Sequence, residues 1–425
     1  MGFWRILGTP AVHRRNSAMA TAYQPTPGVG NSKLNGPANT RFASLHRIVM
    51  NDPLELKIDP IRNYRVNGHM LPYTDFVPRL FNWALSLGFQ PGKILPSRAF
   101  CSDESQGFPV MMIAKHFGTF PFNHGQVGGV VATSRHASYA AHGHDLVIIQ
   151  ASHVGFDPDS RGFGTYKRLQ TMPESCSASC GKLDSILAWY QDEYTFARNN
   201  LLLHTLDGRE VITVDSNLTD ESRNEGLILR AERLFEFQAG SYKYPLQILS
   251  TSKTFAAARA FVDSVGPSAF GEIRPTPIGD RLTASLFNYR RDIPLEIEGK
   301  HHIENILLRF MSRIVTSQFP ILSGALLTTQ MEFDRVYRSI VKEGAYGGRN
   351  LIFISGLNID FWPHDDQLFP MTTFVPWAAY VQTGTGTGTG TSRILEQRQL
   401  QDVLCSQATD NPHQIDLDEA IESKG

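Results

Sequence analysis

The stretch "HDLVIIQASHVGFD", residues 144–157, decides how this chain is read. Leu146, Val147, Ile148 and Ile149 make an uninterrupted apolar run rich in β-branched side chains. Upstream lies the glycine-dense "QVGGVVATSRHASYAAHG" (126–143), and downstream a glycine-bearing loop over 154–164. A short apolar run bounded in this way predicts a buried strand over 145–151. His153 then stands where the chain leaves the strand, and an imidazole brought to the edge of a core needs a partner.

Working outward, "TDFVPRLFNWALSLGF" (74–89) repeats apolar residues at helical spacing, which predicts a helix over 75–87 ending near Gly88. "GKILPSRAFCSDES" (92–105) predicts a strand that ends at Cys101. "SCSASCGKLDSILAWYQDEY" (175–194) predicts a helix from about Cys180 to 196, with Ser179 as N-cap and Cys180 in the first turn. A thiolate there is favoured by the positive end of the helix dipole. "GREVITVD" (208–215), "RLFEFQ" (233–238) and "YPLQILST" (244–251) read as extended. "SKTFAAARAFVDSV" (252–265), "HIENILLRFMSRIV" (302–315) and "MEFDRVYRSIVKEG" (331–344) read as helical, and "RNLIFISGLNID" (349–360) as another strand. Strand and helix signals alternate along the whole length, so the fold class is α/β.

Composition bounds the function. The chain has 425 residues, 41% hydrophobic, with 40 Lys plus Arg against 41 Asp plus Glu. That balance gives no basic face for nucleic acid. No run approaches the roughly 18 apolar residues of a membrane span, so a soluble, intracellular protein is expected. Four cysteines are too few for a disulfide scaffold and fit a reducing compartment. Residues 1–51 contain no acidic residue but several arginines, the composition of a transit peptide or of a disordered tail. The first reading places the protein in a mitochondrion or plastid, the second in the cytoplasm. The expected organisation is this N-terminal segment, one α/β domain over 52–382, the low-complexity "TGTGTGTGT" (383–391) as a loop or linker, and a C-terminal tail over 392–425.

Cys101, His153 and Cys180 each fall where an element begins or ends, and α/β folds gather ligand sites at such points. Two thiolates and one imidazole supply three zinc ligands and leave a fourth position open. Spacing alone also allows two small buried cysteines and a satisfied core histidine. Cys176 and Cys180 form a C-x3-C pair, which allows a thiol oxidoreductase. "HHIE" (301–304) lacks the H-E-x-x-H spacing of a metalloprotease helix, and there is neither a serine nucleophile elbow nor a phosphate-binding G-x-x-x-x-G-K motif.

"CSDE" (101–104), "HVGFD" (153–157), "GTYKR" (164–168) and "SCG" (179–181), followed by "LIFISGLNID" and "FVPWAAYVQ" (374–382), occur in an order that resembles the limiting-carbon-dioxide-inducible B family. Members of that family are similar to β-type carbonic anhydrases and are sometimes called θ-type. The resemblance spans from about residue 70 to the end. It implies a β-carbonic-anhydrase-like sheet flanked by helices, with Zn2+ held by Cys101, His153 and Cys180 at the strand ends. It implies reversible hydration of carbon dioxide to bicarbonate by a zinc-bound hydroxide, in a homodimer or higher homo-oligomer. Asp103 matches the aspartate that either orients the nucleophile or occupies the metal's fourth position. The arginine that pairs with that aspartate in β-type enzymes is replaced by Ser105, and Arg168 is the substitute expected here, ahead of Arg98, Arg135 and Arg161. Ser102 also departs from the family's usual arginine. These two departures sustain an alternative, a catalytically silent zinc protein that binds bicarbonate or scaffolds inorganic-carbon metabolism. Glu104 reads as a matched site residue or a solvated carboxylate. His116 and His144 read as proton shuttles or as loop histidines.

Overall fold

A computed structural model describes residues 70–131, 145–157, 160–167, 176–219, 224–236, 245–295, 300–343, 346–361, 371–383, 390–417 and 419. The acid-free N-terminal segment lies outside them.

A mixed sheet organises the chain. Its strands are β1 (Leu71–Pro72), β2 (Ile94–Ala99), β3 (Phe122–Asn123), β4 (Asp145–Asp157), β5 (Leu351–Phe361), β6 (Thr372–Thr383) and β7 (Thr391–Leu395). The order is β1-β6-β5-β4-β2-β3, with β7 also on β6 and the short strand Gly162–Phe163 on β4. Strands β2, β3, β4 and β5 run parallel, and β1, β6 and β7 are antiparallel to their neighbours. Thr383 faces Thr391 across the β6–β7 pair, so the threonine-glycine segment connects two hydrogen-bonded strands.

Central position explains why β4 and β5 read as continuous apolar runs: a strand covered on both faces alternates between two cores rather than between core and water. Val147, Ile149 and Ala151 of β4 pack with Ile352 and Ile354 of β5 against helices α1 (Tyr73–Ser86), α2 (Gly107–Phe117) and α5 (Gln397–Ser406). Leu146, Ile148, Leu351 and Phe353 face the other way, onto Phe333, Val336 and Ile340 of helix α4 (Pro320–Lys342). Helix α1 buries Tyr73, Phe76, Val77, Leu80, Phe81 and Trp83, each large apolar side chain contributing about 1.5–3 kcal/mol relative to exposure. Among the described residues no helix is long and apolar enough to cross a membrane.

Helix α3 (Gly181–Asn200) leads into a second, antiparallel sheet of five strands, Gln247–Leu249, Ser252–Ala256, Arg209–Asp215, Leu201–Leu206 and Thr276–Pro277.

Local expectations differ from the structure in five places. Strand β2 ends at Ala99, two residues short of Cys101. Strand β4 does not end before His153 but runs on to Asp157, because β5 continues to pair with it as far as Phe361 opposite Phe156. Cys180, not Ser179, occupies the N-cap of α3 and makes no side-chain cap hydrogen bond, while the Ser179 hydroxyl is drawn to His153. "RLFEFQ" is not extended at its start: Ala231–Leu234 forms a single helical turn that lets Phe235 stack on Phe255 at 4.6 Å. "SKTFA" is a strand rather than the first half of a helix, since Ser252–Ala256 pairs along Arg209–Asp215 and only Arg259–Val265 is helical. In both of the last two cases tertiary pairing overrides local propensity.

Candidate metal centre

Strands β2, β4 and β5 are parallel, so their carboxyl ends meet at one edge of the sheet, where open α/β sheets bind ligands. Cys101 lies two residues beyond β2, and His153 sits four residues before the end of β4. On the pleat of β4, His153 shares a face with Val147, Ile149 and Ala151, toward the start of α2. Cys180 arrives at the same point as the cap of α3.

Cys101, His153 and Cys180 are all buried, and one donor atom from each lies within 4.8 Å of the others. The two sulfurs are 3.8 Å apart and both cysteines are free. Two thiolates on one tetrahedral zinc, each about 2.3 Å from it, stand about 3.8 Å apart, whereas a disulfide brings them to about 2.05 Å. The sulfur pair therefore has the spacing of a metal site.

The imidazole is presented in the same sense. His153 Nδ1 lies 3.0 Å from Asp360 Oδ2 and 3.1 Å from Ser179 Oγ, while Nε2 is buried and has no hydrogen-bond partner. A carboxylate on Nδ1 fixes that nitrogen as the N–H and leaves the lone pair on Nε2, the tautomer that a metal takes. Asp360 is fully buried and is itself held: Ser105 Oγ donates to Oδ2 at 2.9 Å, Thr372 Oγ1 to Oδ1 at 3.0 Å, and Gln106 Nε2 to both oxygens. Asn358, opposite His153 across the β4–β5 pair, donates to Gln106 Oε1 at 2.7 Å and accepts from Tyr73. These side chains form one connected network that ends on the imidazole.

The glycine-dense segment has a matching role. Gly128 donates its N–H to Cys101 Sγ at 3.1 Å. It does so at φ +78°, and a Cβ there would lie 2.4 Å from Ile303 Cδ1. Gly155 permits a second close approach, since a Cβ on it would come within 2.2 Å of the Thr165 carbonyl oxygen.

The hydrogen bond between the sulfurs lowers the pKa of Cys101 and raises that of Cys180; burial opposes both thiolates, and the Gly128 N–H adds to the preference for Cys101. Burial disfavours the His153 imidazolium, but Asp360 and the two sulfurs outweigh it and raise the His153 pKa well above the usual range. Metal binding at such a group displaces protons from the cysteines and from Nε2. Asp103 caps the turn Glu104–Gln106 by accepting from the Ser105 N–H at 3.2 Å, and its other oxygen is 3.9 Å from His153 Nε2. Burial raises its pKa.

The remaining expected site residues are placed as follows. Arg168, Arg135 and His144 lie outside the described residues, and so does the side chain of Cys176. Among the described residues neither Arg98 nor Arg161 pairs with Asp103; Arg161 is exposed at φ +54°. Ser105 directs its hydroxyl to Asp360. Glu104 and Ser102 are exposed. His116 is buried against Asn411, whose Nδ2 lies 3.2 Å from His116 Nδ1, so it ties the C-terminal segment to α2. In "HHIE", His302 Nε2 lies within hydrogen-bond distance of Glu332 at 3.1 Å and Glu304 forms an ion pair with Arg291 at 2.6 Å, so both side chains are engaged by protein partners. The supporting roles of Asp360, Gln106, Asn358 and Ser179 around His153 are what sequence reading missed.

No protein-family model and no curated protein matches the chain. Among solved structures, similarity is found to PtLCIB4, a homolog of the limiting CO2-inducible protein LCIB, at 11% identity and TM-score 0.44, covering 80% of this chain and 98% of that one. The limiting CO2-inducible protein LCIB itself is similar at 14% identity and TM-score 0.38, covering 77% of this chain and 95% of that one.

Proposed function

We propose that the chain is a zinc-dependent carbonic anhydrase, hydrating carbon dioxide reversibly to bicarbonate. The observation that carries the reading is the buried Cys101–His153–Cys180 group, with an orphaned imidazole nitrogen and two sulfurs at metal-site spacing. This donor set fits zinc, which takes thiolate and imidazole together and leaves a fourth place open when three protein ligands bind it. Zinc, when bound, lowers the pKa of a coordinated water to about 7 and so supplies a nucleophile at neutral pH.

The protein's own groups do the rest. Asp360 holds the His153 tautomer and orients the ring, with Ser105, Gln106 and Thr372 fixing the carboxylate. The Gly128 N–H holds the Cys101 sulfur. Asp103, its Oδ1 anchored by the Ser105 N–H and its Oδ2 3.9 Å from His153 Nε2, would accept a hydrogen bond from water held at a bound zinc and so orient it. Arg168 is assigned to Asp103 as its cationic partner on the family resemblance alone.

A second reading, a silent zinc protein that binds bicarbonate or scaffolds carbon metabolism, draws on Ser105. Its hydroxyl serves Asp360, and among the described residues no arginine pairs with Asp103. Stopped-flow carbon dioxide hydration on zinc-loaded protein separates the two. A rate above buffer that is lost in Asp103→Ala supports the enzyme; full zinc occupancy with no rate refutes it in favour of the silent protein.

A further inference from the structure

Helix α3 carries Cys180 at its start, and fourteen residues along it Tyr194 borders a separate cleft, about 21 Å away at 1.5 Å per residue. The cleft has a volume of about 1000 Å³, and Arg230, Arg233, Arg309 and Arg313 line it. One lining carboxylate, Asp280, is already paired with Arg198 at 2.5 Å.

The guanidinium groups of Arg230, Arg233 and Arg309 around one opening focus a positive potential into it. Among the described residues, no carboxylate lies within ion-pair distance of Arg230, Arg233 or Arg309. Arg230 donates to Asn288 Oδ1 at 3.0 Å, and Arg233 to the Ser285 carbonyl at 3.0 Å. Arg309 lies over the Phe310 ring, 5.8 Å from its centroid. Each of these three guanidinium groups has five N–H donors, so these contacts fix the planes and leave most of their donors for a ligand. The planar fork matches phosphate oxygens two at a time. Several forks around one opening favour a ligand with several phosphate charges over a single phosphate. The volume is that of a small-molecule site, and a formal net charge of −1 for the chain gives no reason to expect a nucleic-acid track.

We infer that this arginine-lined cleft binds a small molecule bearing a diphosphate or longer phosphate chain. The site is independent of the metal centre, and its test does not depend on carbonic anhydrase activity.

Isothermal titration of the full chain at about 0.15 M salt with inorganic diphosphate, ADP and inorganic monophosphate reads the inference directly. Saturable binding of diphosphate at one per chain is expected, with monophosphate at least about tenfold weaker. ADP binding more tightly than diphosphate assigns the source to a nucleotide; equal or weaker ADP binding makes the diphosphate group sufficient. Arg309→Gln, at an exposed position, and the Arg230→Gln/Arg309→Gln pair should each lower diphosphate affinity, the pair at least about tenfold. Unchanged melting temperatures without ligand establish that both variants fold, and Arg309→Lys should retain part of the affinity. No saturable binding of diphosphate or ADP up to roughly 1 mM, a concentration at which only weak ligands saturate, overturns the inference. So does wild-type affinity in the folded double variant.

Discussion

Asp360→Asn perturbs the centre without replacing a proposed ligand. In the native site the two oxygens of Asp360 accept from His153 Nδ1, Ser105 Oγ, Thr372 Oγ1 and Gln106 Nε2. An amide must put its NH2 where one oxygen was. Hydroxyls can rotate to accept from it, but Gln106 Nε2 lies 3.0 Å from one oxygen and 2.9 Å from the other, so either amide orientation sets donor against donor. Gln106 is not free to flip, because its Oε1 accepts from Asn358. One buried donor is left unpaired, at about 1–3 kcal/mol, and His153 loses the charge that fixes its tautomer. Loss of such a supporting partner weakens metal binding by about 10- to 100-fold, or about 1.4–2.8 kcal/mol. Competition of zinc-loaded protein against a chromogenic chelator measures this, with circular dichroism to verify the fold. Wild-type zinc affinity in a folded Asp360→Asn protein would refute the reasoning, since it would mean that nothing at Nδ1 matters to Nε2.

Gly128→Ala requires an L-residue at φ +78° and a Cβ against Ile303; it should cost about 1–3 kcal/mol in urea unfolding and lower zinc affinity through the displaced N–H to Cys101. The pKa of His116 is lowered to about 4, by burial first and then by Lys115. It therefore stays neutral in the fold while the unfolded chain takes up a proton near pH 6.5. Its contribution is complete above about pH 6.5 and is lost as pH falls toward 4. His116→Gln should flatten that limb of the stability profile by about 1–2 kcal/mol, less than the full shift because solvent screens part of it. An unchanged pH profile in the variant would count against the buried neutral imidazole.

Much of this site was legible, because its ligand types are rare and sit at element ends. Cys101 follows an apolar strand, Cys180 precedes an amphipathic helix, and His153 interrupts an apolar run. The supporting layer was not legible for a physical reason: Asp360 is 207 residues from His153 and looks like an ordinary polar strand exit. A signal did exist in the parallel register of β4 and β5. Gln150 stands opposite Ser355, His153 opposite Asn358 and Gly155 opposite Asp360. Two buried strands whose polar residues fall at matching positions must satisfy each other, but that register is visible only once the strands are known to be neighbours. The strand at Ser252–Ala256 was misread for the same kind of reason: its sequence favours helix, and its partner lies about 40 residues upstream.

X-ray absorption at the zinc edge, on the full chain loaded with one equivalent of zinc, is the most direct test of the central claim. Two sulfurs at about 2.3 Å and one nitrogen at about 2.0–2.1 Å are predicted, with one sulfur lost in Cys101→Ser and one in Cys180→Ser. A metal shell without sulfur, or a two-sulfur shell that survives either substitution, would contradict it.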